Sequence, residues 1–316
     1  MPDVKCDIII PVWNERVLTE KCIKSISENT DIPHRLTLVD NASALETASY
    51  LKELSGNKDA VILIRNEENM GFPKAVNQGI KSSSAPYLCI LNNDTEVHKG
   101  WLSEMIKIAE SNPNIGIVNP SSNNTGHPKP LNGFLGKYIE ISSCIGFCML
   151  IKREVIEKVG NFDEIFSPGN FEDTDFSRRA VKAGYKCVIA KGAYVYHAQN
   201  VGFKKIKDRD EKFKRNRDIF NKRWGSVKRI AYIIKDIKKG ESLTLEKDIR
   251  NSLDEGHWVY IFIRKGSLIP DLGMHGSLRI IEVGRIMFNL KVWLNILLRK
   301  KKFDKVIFFL LKSMYL

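Results

Sequence analysis

Apolar and polar positions alternate along the first 200 residues in a repeating order of strand and helix. Cys6 to Val12 is an apolar run, and Trp13-Asn14-Glu15 follows it as a turn. Arg16 to Ser27 then sets Val17, Leu18, Cys22, Ile23 and Ile26 at helical spacing. Leu36 to Val39 reads as a second strand, Thr47 to Leu54 as helix, and Val61 to Ile64 as a third strand. Asn69, Gly71, Pro73 and Asn77 open the next helix, which runs to about Ser82. Tyr87 to Leu91 is a strand that ends in a polar turn, and Trp101 to Glu110 is a helix. Strands that alternate with helices at this interval indicate βαβ units and a mainly parallel sheet.

The pattern continues with a strand over Ile115 to Val118 and a long loop from Asn119 to Leu131. Loops of that length are more often functional than idle. Cys144 to Ile151 reads as a strand, Arg153 to Val159 as a helix closed by Gly160, and Phe171 to Gly184 as a further helix. Two strands follow, Lys186 to Ala190 and Tyr194 to His197.

Charge divides the chain. Residues 1–200 carry 22 Lys and Arg against 24 Asp and Glu, whereas residues 201–316 carry 28 against 13. The net +13 therefore belongs to the second part, which points to an anionic partner there. The boundary predicted from this shift separates a domain at 1–200 from a basic, helical region at 201–316. Six scattered cysteines lack zinc-ribbon or thioredoxin spacing, which suits reduced, buried thiols. The N-terminal apolar run is too short for a secretory leader and is interrupted by Asp7, so a cytosolic location is expected.

Candidate chemistry gathers at strand ends and in one acidic segment. An open α/β sheet binds ligands beyond the carboxyl ends of its strands. Asn92, Asn93 and Asp94 stand at such a position, where amide, carboxylate and carbonyl oxygens suit a hard divalent cation. An Asx-rich turn accounts for the same three residues. Phe171-Glu172-Asp173-Thr174-Asp175 opens a helix with three acids. They complement the helix dipole, and one of them could also accept a proton from a substrate hydroxyl. His197 ends an apolar strand, a place for either a structural histidine or a metal ligand.

The ordered set Ile8-Ile9-Ile10-Pro11-Val12-Trp13-Asn14-Glu15, Val39-Asp40-Asn41-Ala42-Ser43, Asn69-Met70-Gly71-Phe72-Pro73-Lys74, Leu91-Asn92-Asn93-Asp94, Gly160-Asn161-Phe162-Asp163 and Phe171-Glu172-Asp173 resembles the family 2 glycosyltransferases of GT-A fold. Within that family it is most similar to the rhamnosyltransferase-like branch of bacterial polysaccharide synthesis. The resemblance covers roughly residues 5 to 200. It implies an α/β fold, Rossmann-like, with a mainly parallel mixed sheet flanked by helices. It further implies inverting transfer of a sugar from a nucleoside diphosphate donor, dTDP-rhamnose before a UDP-sugar, to a hydroxyl of a glycan or lipid-linked acceptor. Pro11, Asn14, Glu15 and Asp40 would then line the nucleoside pocket. Asn69, Gly71, Lys74 and Asn77 would surround the diphosphate. Asn92-Asn93-Asp94 matches the family's metal motif with Asn in place of its first acid. That leaves Asp94, with His197, to hold Mg²⁺ or Mn²⁺. Asp173 matches the general base, with Glu172 beside it.

Beyond residue 200 the resemblance ends. Phe203 to Arg223 is a charged helical segment. Leu278 to Leu298 is apolar but carries Arg279, Glu282, Arg285 and Lys291, which argues against a membrane-spanning helix. Arg299 to Lys302 is a basic cluster, followed by the apolar stretch Phe303 to Leu316. Such segments suit peripheral contact with an anionic membrane, here the inner face of the cell membrane. Packing on the catalytic domain or assembly of a homodimer are the other roles open to them. Two further functions compete with sugar transfer. A sugar nucleotidyltransferase would usually carry a Gly-rich basic loop after its first strand, which Pro11 to Glu15 is not. A nucleic-acid-binding role leaves the acids at 172–175 unexplained and finds few aromatics in the basic segment, so no nucleic-acid partner is expected.

Overall fold

The computed structural model describes residues 4–56, 60–125, 133–199, 208–235 and 242–309. Two compact units divide the chain between Arg223 and Trp224.

In the first unit, β1 (Cys6–Val12), α1 (Arg16–Asn29), β2 (His34–Asp40), α2 (Leu45–Gly56), β3 (Val61–Arg65), α3 (Phe72–Lys81) and β4 (Tyr87–Leu91) follow the predicted alternation. After them come β5 (Thr95–Val97), α4 (Trp101–Glu110), β6 (Ile115–Ser121), β7 (Tyr138–Ile141) and β8 (Cys148–Lys152). The unit closes with α5 (Arg153–Val159), α6 (Glu172–Lys182), β9 (Lys186–His197) and α7 (Arg209–Trp224), which ends at the unit boundary. The strands form one sheet in the order β3-β2-β1-β4-β8-β6-β9-β5, with β7 also on β9. β3, β2, β1 and β4 are parallel, while β8 lies antiparallel between β4 and β6. Apolar strands sandwiched by helices explain the order: Ile8 and Ile10 pack to one core and Ile9 to another, each fully buried. Asp7 is buried inside β1, where Arg35 Nε at 2.8 Å and the Ala85 N–H at 2.9 Å satisfy it.

Two strand assignments differ from expectation. The run from Cys144 enters the sheet only at Cys148. The N–H groups of Cys144, Ile145 and Gly146 are taken instead by side chains: Ser177 Oγ at 3.0 Å, Asn119 Oδ1 at 2.7 Å and Asp173 Oδ2 at 2.8 Å. Lys186 to His197 is one strand, not two; its register against β6 shifts between Pro120 and Ser121, which absorbs residues 191–193 in a bulge.

The predicted boundary near residue 200 falls too early, because α7 packs with the first unit. The fully buried Asn216 donates to the Phe166 and Gly169 carbonyls at 2.6 and 2.9 Å. Arg223 holds Asp175 at 2.7 Å and Asp163 at 2.8 Å.

The second unit is not the expected helical appendage. It comprises β10 (Arg229–Ile234), α8 (Ser242–Asp254), β11 (Trp258–Arg264), β12 (Leu278–Val283), α9 (Phe288–Leu297) and β13 (Lys305–Phe309). Its four strands are all parallel, in the order β12-β11-β10-β13. Ile230, Tyr232 and Ile234 pack with α8, while Ala231 and Ile233 pack with Phe288 and Val292 of α9. β10 and β11 are largely buried on both faces and lack the alternation that marks a strand in sequence. The apolar stretch from Leu278 to Leu298 is a partly exposed edge strand, a break at Gly284 to Met287, and a helix. Residues 310–316, the end of the apolar stretch that begins at Phe303, lie outside the described residues. Among the described residues no helix is long and apolar enough to cross a membrane.

Candidate active site

The carboxyl ends of β1, β2 and β4 converge on one corner, as the parallel order requires. Asn14 and Glu15 follow β1 with φ of 59° and 55°. Asn14 is tied to the turn after β2: its N–H donates to Ser43 Oγ at 2.8 Å, and its Oδ1 accepts from the Ala44 N–H at 2.8 Å. Pro11 is the residue of β1 registered against Val39. Asp40, buried, ends β2; its Oδ1 accepts from the Ser43 N–H at 2.8 Å and its Oδ2 from Arg65. No sequence pattern gives Arg65 or the buried Asn41 a role. Asn41 is the hub between strand end and loop: it donates to Asn69 Oδ1 at 2.8 Å and accepts from the Met70 N–H at 2.9 Å.

The 69–71 turn is shaped by protein as well as by any ligand. Gly71 has φ 84° and ψ 165°, a region open essentially to glycine. A Cβ there would stand 2.9 Å from the Pro168 Cα, so the close approach it permits includes the loop before α6. Lys74 lies half-buried in the first turn of α3. Asn77 faces elsewhere than expected: it exchanges two hydrogen bonds with the Phe162 backbone at 2.9 and 3.1 Å and bonds Glu164. It braces the 160–164 loop.

Asp94 and His197 meet through register. β5 pairs antiparallel with β9 so that Thr95 faces His197, which sets the preceding Asp94 against the imidazole. His197 Nε2 lies 3.1 Å from Asp94 Oδ1, with both side chains under 10% exposed. Nε2 is buried and makes no hydrogen bond among the described residues. Asn93 Nδ2 donates to Thr19 Oγ1 at 2.9 Å, and the Asn92 N–H to the Phe147 carbonyl at 2.8 Å, so these two asparagines hold the turn in place.

Asp173 sits in the first turn of α6. Its Oδ2 accepts from the Gly146 N–H at 2.8 Å and its Oδ1 from the Thr174 N–H at 2.6 Å. Burial raises its pKa above the ordinary carboxylate value, against these hydrogen bonds. Glu172 is buried, and its Oε2 lacks a partner among the described residues. Burial first, and the neighbouring Asp173 charge second, push its carboxyl well above the usual range. Asp175, the third acid, is structural: it binds Arg179 at 2.8 Å as well as Arg223. Residues 146 and 147 join the two halves of the site. Gly146 contacts Asp173, and Phe147 stacks on His197 with centroids 5.1 Å apart.

Residues 7–160 match the model of glycosyl transferase family 2. The first unit is built on a family 2 glycosyltransferase domain. A protein of Sinorhizobium fredii is 25% identical over 247 residues, 69% of this chain and 27% of that one. The poly-beta-1,6-N-acetyl-D-glucosamine synthase of Staphylococcus aureus is 27% identical over 176 residues, 52% of this chain and 41% of that one. The chain thus spans well under half the length of these two relatives. A mannosyltransferase of Pyrobaculum calidifontis, solved with GDP-Man and Mn²⁺, shares the fold with a TM-score of 0.53 at 20% identity, over 62% of this chain and 57% of its own.

The glycosyltransferase domain has donor groups suited to a divalent cation. A buried, unsatisfied imidazole nitrogen faces a carboxylate oxygen. Among the described residues no group of three His, Cys, Asp or Glu converges. Two protein ligands, completed by water and diphosphate oxygens, is the way Mg²⁺ commonly binds. All six cysteines of the chain are buried and unbridged, and the Cys22 thiol donates to the Asn92 carbonyl at 3.6 Å.

Proposed function

We propose that the chain is an inverting, metal-dependent glycosyltransferase that moves a sugar from a nucleoside diphosphate to a hydroxyl of a glycan or lipid-linked acceptor. The single observation that carries this is the joining of Asp173 to the Asp94–His197 pair through consecutive residues, Gly146 and Phe147. Asp94 and His197 would hold Mg²⁺ or Mn²⁺. When bound, the ion offsets charge that develops on the leaving diphosphate. Asp40 and Arg65 at the ends of β2 and β3 would meet the base, with Pro11, Asn14 and Glu15 around the nucleoside. Lys74 would offset phosphate charge.

Asp173 would accept the acceptor hydroxyl proton as that oxygen attacks the anomeric carbon from the face opposite the leaving group. The C–O bond to the diphosphate breaks as the new one forms, which inverts the configuration. The raised pKa makes Asp173 a stronger base than an ordinary carboxylate, while its hydrogen bonds hold Oδ1 and Oδ2 in place. dTDP-rhamnose is the first donor to test and UDP-sugars the next. A role in surface polysaccharide synthesis is supported by the likeness to the Staphylococcus aureus synthase.

The second unit would contact an anionic membrane. Ile286, in the turn before α9, and Leu290, Trp293, Leu294 and Leu297 on the helix are exposed apolar residues that lead into Arg299 to Lys302. Arg299 also stacks on Tyr260, 4.1 Å from the ring centroid. Each basic residue near such a surface contributes about 1 kcal/mol, falling with salt.

A thermal-shift screen of nucleotide sugars with Mg²⁺ and Mn²⁺ tests the donor assignment. A true donor raises the melting temperature in a metal-dependent way, by about 2.7 kcal/mol of stability at a hundredfold excess over its dissociation constant. A flat response to every nucleotide sugar would exclude the assignment.

A further inference from the structure

The short turn after β6 grips His197 from two sides. Asn123 pairs with the His197 backbone in both directions: its Nδ2 donates to the His197 carbonyl at 2.8 Å, and its Oδ1 accepts from the His197 N–H at 3.0 Å. Asn124 reaches the ring, where its Nδ2 stands 2.6 Å from Nδ1. The turn itself is fixed by Ser122 and Thr125: the Ser122 N–H donates to Thr125 Oγ1 at 2.8 Å, and the Asn124 N–H to Ser122 Oγ at 3.1 Å. Phe147 stacks on one face of the imidazole. The ring therefore has a fixed plane and a fixed position at the end of β9.

What these contacts leave undecided is which ring nitrogen carries the proton, and Asn124 decides it. The two ends of an amide exchange places by a half-turn about its last torsion, and they differ in role. With Nδ2 toward the ring, Nδ1 accepts and Nε2 must carry the hydrogen. With Oδ1 toward the ring, Nδ1 donates and Nε2 keeps its lone pair. Among the described residues the Asn124 amide makes no other hydrogen bond that would fix it one way. Nε2 is the nitrogen that faces Asp94 Oδ1, is buried, and makes no hydrogen bond. An Nε2–H in that place has the Asp94 carboxylate 3.1 Å away, whereas a lone pair turned to that carboxylate is favourable only with a cation between the two. Metal-bound histidines usually donate their second nitrogen to an oxygen for this reason.

We propose that Asn124 is a positioning residue for the metal site: with its amide turned by half from the orientation that sets Nδ2 at the ring, its oxygen accepts the Nδ1–H of His197 and leaves the Nε2 lone pair for a cation beside Asp94. This rests on the metal-dependent reading of the Asp94–His197 pair. Asn123 serves the same end through the backbone, holding the strand terminus in register with Asp94.

The deciding variant is Asn124→Asp, which can only accept at that position. Mn²⁺ affinity is measured by electron paramagnetic resonance on the full chain with UDP, GDP and dTDP as diphosphate probes. His197→Gln serves as the control, and circular dichroism checks folding. Asn124→Asp should hold Mn²⁺ at least as tightly as the parent, and Asn124→Leu should weaken it about 10- to 100-fold. Nitrogen-15 shifts of the imidazole with Mg²⁺ and the diphosphate should show a protonated Nδ1. If His197→Gln loses Mn²⁺ but Asn124→Leu does not, or if Asn124→Asp is the damaging change, the inference fails while the metal reading stands. If the parent binds no Mn²⁺ with any diphosphate, the metal reading fails and takes the inference with it.

Discussion

Gly146 donates its N–H to Asp173 Oδ2 at 2.8 Å, from a segment that has left the sheet so that side chains can take its N–H groups. This bond fixes a carboxylate oxygen without neutralising it. The same segment continues into Phe147, which stacks on His197. The proposed base and the proposed metal ligand are thus placed by neighbouring residues of one strand entry.

Asp173→Asn keeps shape and loses the proton acceptor. Transfer should fall about 10²- to 10⁴-fold, with nucleotide binding and melting temperature close to the parent. Turnover at the parental rate would remove Asp173 from the role of base.

Glu172 gives a pH signature. Its folded pKa is raised, so below the unfolded value, about 4.3, the group is neutral in both states and burial is tolerated. As pH rises from there toward the folded pKa, the unfolded chain ionises first and stability falls. Glu172→Gln should flatten that decline as pH rises above about 4.3. Parallel melting curves for both proteins across that range would contradict the burial argument.

Much of this was legible in the sequence, and the misses have physical causes. The alternation that set β1 to β4 and α1 to α4 survives because helices cover both sheet faces and each element has its own apolar period. Asp94, Asp173 and His197 stood out by position, but their proximity comes from the Thr95–His197 register, which no local pattern shows. Arg65 and Asn41 looked like ordinary loop and strand-end residues. Asn77 looked like a ligand group, yet it holds the Phe162 backbone, and Asp175, one of three neighbouring acids in the sequence, holds Arg223. In the second unit β10 and β11 are largely buried on both faces and carry no period of two, while the edge strands β12 and β13 are too exposed to show a buried face.

Asn216→Ala tests the claim that α7 belongs to the first unit. It strands buried carbonyls of Phe166 and Gly169 and should lower stability by about 1–3 kcal/mol in urea titration. An unchanged midpoint would show that the helix contributes nothing there.

Gly71→Ala forces a side chain into a glycine-only backbone region and against Pro168. A cost of about 1–3 kcal/mol is expected, with weaker nucleotide binding because the 69–71 turn must shift. Parental stability and binding would mean that the turn relaxes freely.

Vesicle sedimentation tests the second unit. The full chain should pellet with anionic vesicles at low salt and be released only in part by high salt, because apolar contact through α9 persists. A protein that ignores such vesicles and runs as a dimer would show that these apolar residues serve assembly.

Asp94 would recruit a cation to a nucleoside diphosphate. Calorimetric titration of UDP, GDP and dTDP, with and without Mn²⁺, into the parent and Asp94→Ala reads this without reference to turnover. Mn²⁺ should tighten one of these diphosphates in the parent and leave the variant unaffected; equal enhancement in both proteins would remove Asp94 from the metal site.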